Sequence, residues 1–149
     1  MKLTIQSKEL RKALETLQPL FSRRTTLPIL SVILLKAKDN QLHISATNLD
    51  AYMRISIPCQ VETEGEACTG GQRLLNAVKT RDGDCALSLD NNSLTLRSGG
   101  AFAKFGTVSA EEIPAIPEFT VNLNPVDGDE LKSAITLLNW DIVRAGRGS

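Results

Sequence analysis

One order of patterns occurs twice along this chain: a short β-type run, an amphipathic helix, then three strands, first over residues 2–58 and again over 61–107. In the first copy Leu3-Thr4-Ile5 is the opening run and Ser7 is a good N-cap for a helix over about 7–20. Leu10, Ala13, Leu14, Leu17 and Leu20 return at helical spacing, Lys8, Arg11, Lys12 and Glu15 take the other side, and Pro19 marks the last turn. The nearly continuous apolar run Leu27 to Leu35, the turn Asp39-Asn40 and the alternation of Leu42, Ile44 and Ala46 with Gln41, His43 and Ser45 predict a hairpin. Asn48-Leu49-Asp50 connects it to a third strand in which Ala51, Met53, Ile55 and Ile57 alternate with polar residues as far as Pro58.

The second copy follows the same plan. A weaker strand ends near Ala67-Cys68, Thr69-Gly70-Gly71 breaks it, and Leu74, Leu75 and Val78 mark a helix over about 71–80. Cys85, Leu87 and Leu89, then Leu94 and Leu96, then Ala101, Ala103 and Phe105 form three strands separated by Asp90-Asn91-Asn92 and Gly99-Gly100. Two strand-helix-three-strand units with two helices packed on antiparallel sheets define an α+β domain over residues 1–116. Beyond Pro114 to Glu118, which reads as a linker, Phe119-Thr120-Val121 resembles Leu3-Thr4-Ile5. Glu130 to Leu138 then lines up with Glu9 to Leu17 at an offset of 121, with the Glu, the Leu, the Ala and the final Leu coinciding. Residues 117–149 are therefore expected to hold the linker and the truncated start of a second, similar domain, with a disordered tail over 141–149.

Charge matters here through its placement. Seventeen Lys and Arg balance seventeen Asp and Glu, which argues against a protein that coats nucleic acid through bulk positive charge. Yet residues 7–24 hold Lys8, Arg11, Lys12, Arg23 and Arg24 against Glu9 and Glu15, a balance of +3, and residues 71–81 hold Arg73, Lys79 and Arg81 with no acid, again +3. Strands and loops carry the compensating −6, so one face can attract phosphate while the rest repels it. The alternative is that these are ordinary solvated helix cations. Composition, 42% apolar and 23% charged, suits a globular chain and excludes collagenous or disordered ones.

Chemistry of other kinds finds little footing. Cys59, Cys68 and Cys85 form no CxxC pair and His43 is the single histidine, so zinc and disulfide readings are poor and buried reduced thiols are expected. Gly70-Gly71 lacks a phosphate-loop context and reads as a helix start. His43 reads as an exposed bystander, and Asn48-Leu49-Asp50 as a tight connection. No nucleophile-base arrangement or paired-carboxylate signature is present, which points away from an enzyme and calls for no cofactor. An N-terminus without an apolar h-region, and no run of 18 apolar residues, lead to the expectation of a cytoplasmic protein with no membrane partner.

The run Arg23-Arg24-Thr25-Thr26-Leu27-Pro28-Ile29-Leu30-Ser31, then Leu34-Leu35, Leu42 to Asp50 and Arg54, resembles the N-terminal domain of the bacterial DNA polymerase III β subunit family, the sliding clamps. Gln72-Arg73-Leu74-Leu75-Asn76, Leu94-Thr95-Leu96-Arg97-Ser98-Gly99 and Ile113-Pro114 with Pro117 continue the likeness in order, which covers about residues 1–140. The resemblance implies a DNA clamp fold whose helices face a channel, whose sheets form the outer wall, and whose protomers close a ring around double-stranded DNA. It implies a non-catalytic processivity role for the replicative polymerase. Arg24 matches the family's channel-side arginine, Arg23 is its neighbour, and Arg73 sits in the second-helix motif; Lys8, Lys12, Gln72 and Lys79 are added from helix position and charge. Other clamp domains or protomers are implied as partners. The pocket for polymerase and clamp loader lies in the family between its second and third domains, and is expected to be missing from this length of chain. An alternative is a truncated clamp-like interaction module that binds or regulates an intact clamp or polymerase without encircling DNA.

Overall fold

The computed structural model describes residues 1–21, 31–113 and 125–146. In chain order these form β1 (Lys2–Gln6), α1 (Ser7–Phe21), β2 (Val32–Lys38), β3 (Gln41–Thr47), β4 (Tyr52–Pro58), β5 (Gln60–Thr63), β6 (Gly65–Gly70), α2 (Gly71–Lys79), β7 (Asp84–Asp90), β8 (Ser93–Ser98), β9 (Ala101–Gly106), a 3-10 turn (Ala110–Glu112) and α3 (Gly128–Gly146). The chain divides into two compact units, Met1–Ile116 and Pro117–Ser149.

Met1–Ile116 contains two antiparallel sheets, ordered β5-β1-β7-β8-β9 and β4-β3-β2-β6. The paired helix-and-sheet units expected from sequence are present, but the sheets do not follow the boundary between them. The opening strand of the first unit, β1, pairs with β7 of the second, Leu3 opposite Leu87 and Ile5 opposite Cys85. The opening strand of the second unit is not one strand but two. β5 pairs with β1 while β6 crosses to the other sheet and pairs with β2, Leu35 opposite Ala67. The break falls at Glu64-Gly65, where Gly65 takes φ +156°, and a Cβ built there would stand 3.1 Å from the Met1 backbone nitrogen. Glycine therefore lets one segment serve both sheets.

Local chemistry explains the other turns. Asp39 and Asn40 have φ of 52° and 54° between the paired Lys38 and Gln41, the backbone of a two-residue hairpin that matches strand twist. At the β3–β4 connection Leu49 is held at φ +74° because the Asn48 side-chain oxygen accepts from the amides of Asp50 and Ala51, at 3.1 and 2.8 Å. The Leu27–Leu30 part of the expected hairpin lies outside the described residues, and the strand itself starts at Val32.

Period-2 and period-3.6 patterns converge on one core. Ile33, Leu35, Leu42 and Ile44 from one sheet, Leu3, Leu87, Leu94 and Leu96 from the other, and Leu10, Leu14, Leu17, Leu74 and Leu75 from the helices are all essentially inaccessible. Burying one such leucine contributes about 1.5–3 kcal/mol, so the apolar stripes fix which helix faces turn inward. Each helix is left with one polar face toward solvent. Pro19, inside α1, lacks the N–H that would bond the Glu15 carbonyl.

α3 corrects one expectation. Its helix starts at Gly128, the position equivalent to Ser7 under the offset of 121, but continues through Asp141–Gly146, where a disordered tail was expected. No helix breaker stands in that stretch before Gly146, and a missing strand pattern does not preclude a helix. The expected strand at Phe119–Val121 lies outside the described residues. Leu131, Ile135 and Leu138, equivalent to the buried Leu10, Leu14 and Leu17, are 50–62% exposed.

Candidate nucleic-acid interface

α1 and α2 are in direct contact. Gly71, the first residue of α2, is buried against Phe21 and Ile33, so the end of α1 and the start of α2 approach closely. Higher up the contact, the Gln18 side-chain nitrogen donates to the Gln72 side-chain oxygen at 3.2 Å, and the Gln72 nitrogen donates to the Asn76 oxygen at 2.9 Å. The helices are thus joined by an apolar contact and by a line of amides.

Lys8 and Lys12, one turn apart, are exposed on α1; Arg73 and Lys79 are exposed on α2. Arg11 and Gln72 are half-buried. Among the described residues the single ion pair is Lys2 with Glu62, at 2.7 Å, in β1 and β5. None of the helix cations is neutralised by a described carboxylate, and α2 contains no acid at all. The arrangement offers separate exposed point charges at helical spacing, suited to a repeating polyanion rather than to a single enclosed ligand. Two open clefts, one lined by Thr4, Glu9, Cys59 and Asp84, the other by Glu66, Asn91, Ser109 and Glu112, border none of these four cations.

Of the residues expected from sequence, the structure brings Lys8, Lys12, Gln72, Arg73 and Lys79 onto this pair of helices, while Arg23 and Arg24 lie outside the described residues. Arg81, part of the positive charge of residues 71–81, does something else. A guanidinium N–H caps the end of α2 by donating to the Ala77 carbonyl, and its Nε is buried with no hydrogen-bond partner. Sequence reasoning missed Gln18 and Asn76, because uncharged amides give no signal until their helices are docked.

The compensating acid is spread over turns and strands. Asp39, Asp50, Glu64 and Asp82 stand between elements, Asp84 and Asp90 at strand ends, and Glu62 and Glu66 are exposed within β5 and β6, while exposed positions of the other strands include Lys36, Arg54, Arg97 and Lys104. Arg97 lies over the ring of Phe102, 5.9 Å from its centroid.

The remaining reactive groups stay apart. His43 and Ser56 face each other across β3 and β4 at 2.6 Å, with no carboxylate hydrogen-bonded to the imidazole among the described residues. Cys59, Cys68 and Cys85 are free thiols. Burial raises all three, and Cys68, also facing the Glu66 charge, is pushed up to about 11.

Comparison with known proteins places this architecture. Residues 1–117 match the family described as DNA polymerase III beta subunit, N-terminal domain. A beta sliding clamp of Caulobacter vibrioides is 35% identical over 120 residues, covering 78% of this chain and 32% of its own length; that of Streptomyces coelicolor is 26% identical over 136 residues, covering 91% and 36%. Among solved structures, the pol III beta of Caulobacter crescentus superimposes with a TM-score of 0.75 at 34% identity, over 78% of this chain and 32% of that one. The fold is therefore a DNA clamp fold, two antiparallel sheets with helices packed on them. The chain belongs to the DNA polymerase III β subunit family, the bacterial sliding clamps. It spans about a third of the length of the curated relatives it matches.

Proposed function

We propose that the chain serves as the N-terminal domain of a DNA sliding clamp, a non-catalytic processivity factor, and that α1 and α2 face the backbone of double-stranded DNA. The observation that carries the reading is the set of four exposed cations, Lys8, Lys12, Arg73 and Lys79, on two abutting helices with no described carboxylate pairing any of them. Such charges hold a duplex through counterion release without reading bases, so a protein using them stays bound in any sequence context yet slides. Arg23 and Arg24 would add two charges at the exit of α1 through the motif they share with the family.

Enclosure of DNA needs further clamp domains, and these are the proposed protein partners, in a homo-oligomeric ring within the cytoplasm. Engagement of the replicative polymerase and clamp loader would depend on a pocket that the matched third of the relatives does not reach. The test is retention of the 149-residue chain on closed circular and on linear duplexes, with the mass of the species in solution measured alongside. Retention on circles that is lost on linearisation supports a ring. Equal, salt-sensitive binding to both forms supports backbone contact without enclosure. Absence of binding to either form at low salt refutes the DNA-facing reading and favours the alternative, a module that binds or regulates an intact clamp or polymerase without encircling DNA.

A further inference from the structure

The amide chain between the helices has a direction. Each carboxamide offers one oxygen acceptor and two N–H donors. At the α1 end Gln18 donates to the Gln72 oxygen at 3.2 Å, which leaves the Gln72 nitrogen to donate onward to Asn76 at 2.9 Å. The Asn76 oxygen is thereby turned back along α2, and the Asn76 NH2 group is aimed away from it. Among the described residues no acceptor takes either of those N–H groups. Asn76 is exposed and lies one turn from Arg73 on one side and from Lys79 on the other.

We propose that Asn76 is a further DNA-backbone contact, a neutral hydrogen-bond donor to a phosphate oxygen between Arg73 and Lys79, and that Gln18 and Gln72 are positioning residues that orient it. This rests on the reading of α1 and α2 as the DNA-facing helices and deepens it. Gln72, expected from sequence to touch DNA itself, is assigned to the support of its neighbour, since its oxygen and one N–H are already engaged. Amides in series polarise one another, so a donor at the end of such a chain is both better oriented and stronger than a lone surface asparagine. Asparagine and glutamine side chains are common phosphate donors, and a donor fixed in direction favours one phosphate position where lysines alone would accept many.

A neutral contact and a cationic contact respond differently to salt, and this makes the proposal testable. Binding of the full 149-residue chain to a fluorescently labelled duplex is followed by anisotropy across a series of salt concentrations, for the unaltered chain, Asn76→Ala, Gln72→Met, their double variant and Arg73→Ala. Loss of Asn76 is expected to weaken binding about fivefold at every salt concentration, the size of one exposed hydrogen bond, with the log–log salt slope unchanged. Gln72→Met is expected to weaken binding by a smaller factor, and to add nothing in the Asn76→Ala background. Arg73→Ala is expected to make the slope shallower by about one unit. Unchanged affinity in Asn76→Ala, with Arg73→Ala still lowering the slope, overturns the Asn76 assignment alone. Additive losses from Gln72→Met and Asn76→Ala overturn the positioning role. An unchanged slope in Arg73→Ala overturns the reading of the DNA-facing helices, and the Asn76 contact with it.

Discussion

Gly71 is where the geometry of the two helices can be put under load. An alanine Cβ at this position would stand 2.7 Å from two ring atoms of Phe21 and 3.0 Å from Ile33, well inside the 3.4–4 Å of ordinary contact. Both neighbours are fully buried, at 2% and 0% exposure, so neither can swing into solvent. Elsewhere in a helix, glycine to alanine gains up to about 1 kcal/mol from backbone entropy. Here the gain is opposed by overpacking that typically costs about 1–3 kcal/mol, and the first turn of α2 collects only part of the propensity term. The expected net result is a loss of about 1–2 kcal/mol, seen as a fall in Tm of roughly 4–10 °C for a domain of this size. Thermal and urea unfolding measure it. In a Phe21→Leu background, where the ring atoms are gone, the cost of Gly71→Ala should shrink. A Gly71→Ala chain as stable as the unaltered one, or an equal loss in both backgrounds, would refute the contact. This packing bears on function because it sets how closely the two basic faces lie.

Other outcomes follow from single features. The Cys68 thiol ionises near 11 when folded, against a reference value of 9.0. Across that window the unfolded chain therefore holds fewer protons; stability is intact below about pH 9 and falls by roughly 2–3 kcal/mol as pH rises through 11. Cys68→Ser should flatten this alkaline limb in urea titrations, and under native conditions near neutral pH a thiol reagent should modify the half-buried Cys59 before either buried cysteine. Asn48→Ala removes two hydrogen bonds that hold the β3–β4 connection and should cost about 1–2 kcal/mol in urea unfolding. Leu49→Gly relieves a left-handed backbone position and should be neutral or stabilising by about 0.5–1 kcal/mol in the same assay.

What could be read from sequence was what repeats with a short period. Leu10, Ala13, Leu14 and Leu17 fixed one helix face, and Cys85 to Phe105 gave three strands, because each signal is local and its burial large. The partition of strands between sheets was hidden, since it depends on Gly65 meeting Met1, a contact across more than sixty residues of chain. The candidate interface was legible in its charges and illegible in its hydrogen bonds. Arg81 counted as a cation until α2 ended beneath it, and Gln18 and Asn76 carried no pattern until α1 met α2. Helix α3 runs past the expected boundary because residues without strand alternation can still be helical when no breaker intervenes.

The central claim is that exposed cations of α1 and α2 hold the DNA backbone. Its most direct measurement is the salt dependence of duplex binding by a chain in which Lys8, Lys12, Arg73 and Lys79 are all replaced by alanine. If each neutralises one phosphate, the log–log slope becomes shallower by up to about 3.6 units, equally for duplexes of unrelated sequence. A slope that stays where it was in the unaltered chain would contradict the account.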